Sequence, residues 1–298
     1  MLEIQSFLRY ISSEKRYSPH TVSSYALDLS QFQQFILNTY DLKDLAKISH
    51  LHIRSWLASL SESQLSTKTI CRKIATLKSF FKFSQKINAG LPNPMRKIIS
   101  PKIKKRLPVI IQEKEINALS FESKDQDQSF ELVRDQLVVF LLYQTGMRRA
   151  ELLELSYNRI NLANQQIKVI GKGKKERIIP IGKELQLLIV RYLDMCKGLG
   201  VNDKDQLILT KEGKPAYPRL IYRIVHKYLS TVSVSKKKSP HVLRHSFATH
   251  MMDHGADIFA IKSLLGHSTL TATQIYTHNA IEQLRDIYIK AHPKSIQS

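Results

Sequence analysis

Arg148, Lys172, His241, Arg244, His267 and Tyr276 are side chains of types able to do chemistry, each weak evidence on its own. Arginine forks hold oxyanions, lysine and histidine move protons, and a tyrosine phenol serves as a nucleophile. Arg148 lies in Thr145-Gly146-Met147-Arg148-Arg149-Ala150-Glu151-Leu152, where Gly146 is expected to turn the chain between two helices. Lys172 belongs to Gly171-Lys172-Gly173-Lys174-Lys175, a glycine-containing segment expected to form the tip of a β-turn. His241 and Arg244 are three residues apart, so a helix sets them on one face. His267 follows Leu264-Leu265-Gly266, where glycine ends a helix, and Tyr276 stands nine residues further on among polar neighbours. Each has an ordinary structural reading as well. An arginine after a glycine is commonly a cap or ion-pair partner, a turn lysine is commonly solvated, and such a tyrosine is commonly a packed surface group. Glu151, three residues after Arg148, is equally open to orienting a catalytic group or to a helix-surface salt bridge.

Other chemistries find little support. His241, His245, His250, His254 and His267 are numerous, but carboxylates at ligand spacing are sparse and HExxH is absent, so no catalytic metal is expected. There is no Walker-type phosphate loop, so neither ATP nor another cofactor is expected. Cys71 and Cys196 are far apart and form no CxxC, which excludes a disulfide scaffold and suits a reducing cytoplasm. No apolar run approaches the roughly 20 residues that span a bilayer, and the opening Met1-Leu2-Glu3-Ile4-Gln5 resembles no secretory signal. The 298 residues carry 46 Lys plus Arg against 25 Asp plus Glu, a net charge of +21. That excess makes a polyanion the leading partner, with nucleic acid ahead of a membrane surface.

The elements that must position these groups fall into two domains. Residues 1–88 read as a small helical bundle. Ser18 caps and Pro19 opens a helix in which Val22, Tyr25, Leu29, Phe32 and Ile36 recur at spacings of three and four. A short amphipathic helix at 52–60 holds Trp56. Ser66-Thr67 precede a helix carrying Ile70, Ile74, Leu77, Phe81 and Phe83, interleaved with Lys68, Arg72, Lys73, Lys78, Lys82 and Lys86. Residues 96–106 hold six basic groups and no acid after a Gly/Pro-rich stretch, so 89–107 read as a basic linker. Lys68, Arg72, Lys73, Lys78, Lys102, Lys104, Lys105 and Arg106 are the resulting candidates for DNA contact, against the plainer reading of solvated lysines. Residues 108–298 read as a mainly helical domain with a small antiparallel sheet. Helical patterns lie at 130–143, 183–197, 218–230, 241–254, 257–265 and 281–290, and a hairpin joins 166–170 to 176–181.

In chain order, these segments resemble the motifs of the tyrosine site-specific recombinases. Thr145 to Leu152 resembles their first arginine motif, and Gly171-Lys172-Gly173-Lys174-Lys175-Glu176-Arg177 their β-hairpin lysine. His241-Val242-Leu243-Arg244-His245-Ser246-Phe247-Ala248-Thr249-His250 resembles the HxLRHxxATH box. Leu264-Leu265-Gly266-His267-Ser268 and Thr273-Gln274-Ile275-Tyr276-Thr277-His278 resemble the final histidine and nucleophile motifs. The similarity runs from Ser18 to near Pro293 and is greatest to the bacterial Xer recombinases; Met147 stands where leucine is common. The linker is richer in lysine than the family leads one to expect.

The resemblance implies a mainly α fold, an N-terminal SAM-like core-binding bundle joined to a mixed α/β catalytic domain. It implies Tyr276 as nucleophile, Arg148 and Arg244 as oxyanion holders, His241 as general base, Lys172 as general acid and His267 as a donor to the phosphate, with Glu151 in support. It further implies metal- and ATP-independent cutting and rejoining of double-stranded DNA by a tetramer, through a Holliday junction. The protomers would be copies of this chain or would include a related recombinase, with a septal DNA translocase as a possible regulator, in the cytoplasm on the nucleoid. No arm-binding domain is expected ahead of the bundle. The segment with Leu284, Ile287 and Tyr288 is expected to dock on a neighbouring protomer. Chromosome dimer resolution is the leading role; integration or excision of a mobile element uses the same residues. A DNA-binding protein without catalysis would lack at least one of them, and none is missing.

Overall fold

The computed structural model describes residues 2–103, 109–119, 129–171, 173, 175–198, 206–235, 237–266 and 278–294. The chain divides into two compact units, Met1–Arg106 and Leu107–Ser298.

The first unit contains α1 (Leu2–Ser13), α2 (Pro19–Tyr40), α3 (His50–Glu62) and α4 (Thr67–Ile87). Local chemistry starts these helices. The Ser18 hydroxyl accepts the Thr21 amide at 3.3 Å and Ser66 accepts the Thr69 amide at 3.2 Å, each satisfying a donor that the first turn leaves open. His52 does the reverse at α3, its Nδ1 accepting the Ser49 amide at 3.1 Å. The apolar stripes then meet in one core around Phe7, Leu29, Ile53, Trp56, Leu77 and Phe80. The stretch expected to be plain linker begins inside this core. Asn93 accepts the Met95 amide at 3.0 Å, a short 3-10 turn follows at Pro94–Lys97, and Met95 and Ile98 are buried. α4 ends at Ile87, before the prolines, and Met95 and Ile98 on either side of Arg96 and Lys97 hold the chain against the bundle.

In the second unit, α5 (Glu113–Asn117) precedes α6 (Phe130–Thr145) and α7 (Arg149–Leu153). A three-stranded antiparallel sheet follows, β1 (Ile160–Asn161), β2 (Gln166–Ile170) and β3 (Glu176–Pro180), in the order β1-β2-β3. Then come α8 (Lys183–Gly198), α9 (Pro218–Val232), α10 (Pro240–Asp253), α11 (Ile258–Leu265) and α12 (His278–Ala291). α6 is the central helix, with Val133, Leu137, Val138, Leu141 and Leu142 fully buried among α8, α9 and α10. Burial on every side explains its near-continuous apolar sequence. The β2–β3 register pairs Ile170 with Glu176 and Val169 with Arg177, and the Gly171 amide donates to the Lys175 carbonyl at 2.8 Å. β1 has two residues, too few for an alternation that sequence can display.

The C-terminal helix has a place in this chain's own core. Within this chain α12 packs on its own domain: Tyr288 is fully buried in the core, with Leu284 and Ile287 partly buried against it. Apolar side chains at spacings of three and four serve a core in cis as well as a groove on a neighbour.

Candidate active site

Two glycine-ended helices build the site. α6 ends at Gly146, φ +59°, and α11 ends at Gly266, φ +64°, both in the left-handed region that glycine enters without steric cost. Thr145 fixes the first turn: its hydroxyl donates to the Leu141 carbonyl at 2.5 Å and accepts the Met147 amide at 3.2 Å. At Gly146 a Cβ would lie 2.5 Å from the Phe247 ring and 2.8 Å from a Leu265 methyl. The glycine therefore serves both the turn and the close approach of α10 and α11.

These turns present carbonyl oxygens, and arginines take them. Arg244, buried on α10, donates to the Gly146 carbonyl at 2.6 Å and to the Leu265 carbonyl at 2.7 Å. Carbonyls at a helix C-terminus carry partial negative charge and suit a guanidinium without neutralising it. Arg148, at the start of α7, reaches the same Leu265 carbonyl at 3.5 Å and the Gly266 carbonyl at 3.4 Å. Two guanidinium groups thus converge on one peptide oxygen. Burial, together with the nearby charges of Arg148 and Arg177, pushes the Arg244 pKa down to about 10, so it keeps its charge at neutral pH.

Glu151 lies beneath them, buried rather than on a helix surface. Its Oε2 accepts the Arg148 amide at 2.7 Å and Arg177 Nη2 at 2.7 Å; its Oε1 accepts Arg148 Nη1 at 2.8 Å and Arg177 Nη1 at 3.0 Å. Burial works against the carboxylate, but Arg177 and Arg148 outweigh it and hold the Glu151 pKa below its ordinary value. Arg177 also donates from Nε to the Leu264 carbonyl at 2.6 Å. In the sequence Arg177 stands as one basic residue in a basic motif. The signal was available: in β3, Arg177 alternates with Ile179 on the inward face, and an inward charge demands a partner.

His241 is exposed in the first turn of α10, one turn before Arg244. Pro240 at the helix start and Ser239 ahead of it set that turn. Arg148, Glu151 and Arg244 are brought together; Lys172, His267 and Tyr276 lie outside the described residues. The chain neighbours of two of them are within the site, Gly171 against Arg177 and Glu151, and Gly266 against Arg177. Among the described residues no three His, Cys, Asp or Glu side chains form a group able to hold a metal ion.

In the first unit the basic face is sorted by geometry. α4 advances about 100° per residue, which sets Lys68, Arg72, Lys82 and Lys86 in one exposed sector with Lys78 at its edge. Lys73 points the other way and is 3% exposed. Its ammonium donates to Asp28 at 2.9 Å and to Gln31, over the Trp56 ring, while Arg72 and Thr76 also donate to the buried Asp28. Lys73 is therefore a core ion-pair partner and leaves the set of DNA-contact candidates. Lys102 is exposed; Lys104, Lys105 and Arg106 lie outside the described residues.

Residues 110–283 match the phage integrase family, and residues 4–86 match its N-terminal SAM-like domain. The chain is a tyrosine recombinase of this family. The recombinase is 37% identical to Tyrosine recombinase XerC of Pelobacter propionicus, over 99% of this chain and 96% of that protein. It is 32% identical to Tyrosine recombinase XerC of Chlorobaculum parvum, over 97% and 94%. In fold it resembles the XerH site-specific recombinase bound to its difH substrate, with a TM-score of 0.72 at 23% identity over 96% of this chain and 95% of that one. The recombinase is thus of the Xer type, an enzyme that cuts and rejoins DNA. Among the described residues, no helix is long and apolar enough to cross a membrane.

Proposed function

We propose that this chain is a site-specific recombinase that exchanges DNA strands through a 3′-phosphotyrosine at Tyr276, to resolve chromosome dimers at cell division. The convergence of Arg148 and Arg244 on the Leu265 carbonyl, just before His267 in the chain, carries the chemistry. Similarity to XerC proteins along nearly the whole length supports the role.

Phosphoryl transfer gathers negative charge on the nonbridging oxygens, and the two guanidinium groups offer planar donors for them. A phosphate oxygen competes well against the neutral carbonyls on which the two arginines converge. The Tyr276 phenol oxygen attacks the scissile phosphorus, forming the P–O bond to tyrosine as the bond to the 5′-oxygen breaks. His241 takes the phenol proton and Lys172 gives a proton to the leaving 5′-oxygen, while His267 donates to a nonbridging oxygen. In the return step the partner strand's 5′-hydroxyl attacks, and Tyr276 regains its proton. The ester bond energy is kept in the tyrosyl link, so rejoining needs no ATP and no metal. Glu151 orients Arg148. The exposed lysines of α4, with Lys102, Lys104, Lys105 and Arg106, hold phosphates of the duplex. Four protomers, copies of this chain or pairs with a related recombinase, act on two sites through a Holliday junction on the nucleoid, under a septal DNA translocase.

Deleting the gene tests the role. Cells without it are expected to filament and retain dimeric chromosomes, and a copy carrying Tyr276→Phe is expected not to rescue them. Normal segregation with failed excision of a resident element would replace dimer resolution by mobile-element recombination.

A further inference from the structure

Glu151 has two carboxylate oxygens and about four acceptor positions. All four are filled, two by Arg148 and two by Arg177. One of Arg148's two bonds comes from its backbone amide, so its guanidinium reaches Glu151 through Nη1 alone. Without Arg177, a fork–fork pair between Arg148 and Glu151 is the favoured geometry for an arginine beside a carboxylate. Such a pair would draw Arg148 onto Glu151 and away from the Leu265 and Gly266 carbonyls. Charge follows the same logic. Two guanidinium groups share the Glu151 carboxylate, and removing Arg177 would leave Arg148 paired with Glu151 one to one.

We propose that Arg177 is the positioning residue of the anion site: it occupies the far half of Glu151, keeping Arg148 singly bonded there and turned toward the phosphate. The placement of Arg177 serves this purpose. Its side chain is 4% exposed, reaches from β3, and is tied by Nε to the Leu264 carbonyl. Gly266 leaves room for it, since a Cβ there would lie 3.1 Å from Arg177 Cδ and Nη1. One buried side chain thereby joins the strand that follows Lys172, the helix start that carries Arg148 and the turn that precedes His267. The inference rests on the recombinase reading for its consequence but not for its geometry, and two measurements separate them.

The first is a crystal structure of the full chain carrying Arg177→Met, without DNA. Arg148 is expected to place both Nη atoms on Glu151 and to leave the Leu265 carbonyl; an unmoved Arg148 would overturn the proposal. If that variant does not fold, the double variant Glu151→Gln with Arg177→Met removes the carboxylate that would draw Arg148 away, and Arg148 is expected to stay on the Leu265 carbonyl; its departure there would overturn the proposal. The second is single-turnover formation of the covalent adduct on a nicked duplex, alongside DNA affinity. Arg177→Met is expected to lose at least 30-fold in rate with affinity within threefold of wild type, and Arg177→Lys to lose less. With a methylphosphonate at the scissile position, the loss is expected to shrink below threefold for one of the two isomers, because the oxygen that Arg148 serves is absent. An equal loss on both linkages would mark Arg177 as merely structural. A wild-type chain that forms no adduct would overturn the recombinase reading, while the crystal structure would still judge Arg177.

Discussion

Arg244 is held by peptide carbonyls, while Arg148 shares the Glu151 carboxylate with Arg177 and reaches toward those carbonyls, and these partners decide what the two can do. A carboxylate for each would cancel both charges; the carbonyls of Gly146 and Leu265 fix the plane of Arg244, and a single Glu151 shared by Arg148 and Arg177 leaves the field positive. Arg148→Ala is expected to keep the fold, because 35% of its side chain is exposed, and to slow DNA cleavage roughly 100-fold in a single-turnover assay. Gly146→Ala is expected to act through the fold. It forces an ordinary residue to positive φ and drives a methyl into Phe247, a loss of about 2–4 kcal/mol measurable by urea unfolding. The arginines, His241 and Glu151 could be singled out in the sequence because their motifs are local. Glu151's burial and Arg177's role could not, since both depend on contacts between β3, α7 and the end of α11, segments distant in the chain.

Among the elements, the caps and apolar stripes were the readable part. Ser18, Ser66 and the two glycines mark helix ends where the backbone leaves donors or acceptors open, and those signals lie within a few residues of the structure they make. α12 was not readable in the same way, because its stripe states that it packs without stating on what. It seats Tyr288 and, at its end, His292 in a cluster with Tyr143, Phe247 and His250, close to Lys294. Tyr288→Ala is expected to cost about 3–5 kcal/mol by denaturant unfolding. Burial pushes the His292 pKa down to about 3 and lowers that of His250 as well. His292 therefore stays neutral in the fold where the unfolded chain takes up a proton, and His250 acts in the same direction, so stability falls as pH drops below about 6.5. For His292 alone the loss by pH 5 is about 2 kcal/mol. Thermal unfolding from pH 7 to 5 measures it, and His292→Gln is expected to flatten the curve; an unchanged slope would contradict the assignment.

At the scale of the whole molecule, each unit has its own core, and the excess charge lies on surfaces that those cores leave free. Met1–Arg106 and Leu107–Ser298 are expected to fold as separate chains with their own unfolding transitions, which circular dichroism would check. The net charge of +21 announced a polyanion partner, but it did not say which lysines face it. Lys68 and Lys73 test that distinction. Lys68→Ala is expected to leave stability unchanged and to reduce the salt slope of DNA binding by about 1. Lys73→Ala takes one of three donors from the buried Asp28, leaving it Arg72 and Thr76, and is expected to cost about 2 kcal/mol of stability without changing that slope. The central claim concerns Tyr276, and covalent trapping tests it most directly. The purified chain would be incubated with fragmented DNA from its source, without metal or ATP, then denatured, and the adducts sequenced and digested to locate the linked peptide. The account predicts DNA bound through Tyr276 at one dominant chromosomal site, and no adduct with Tyr276→Phe. An adduct that survives Tyr276→Phe, or none from wild type even with nicked sites and a partner recombinase supplied, would contradict it.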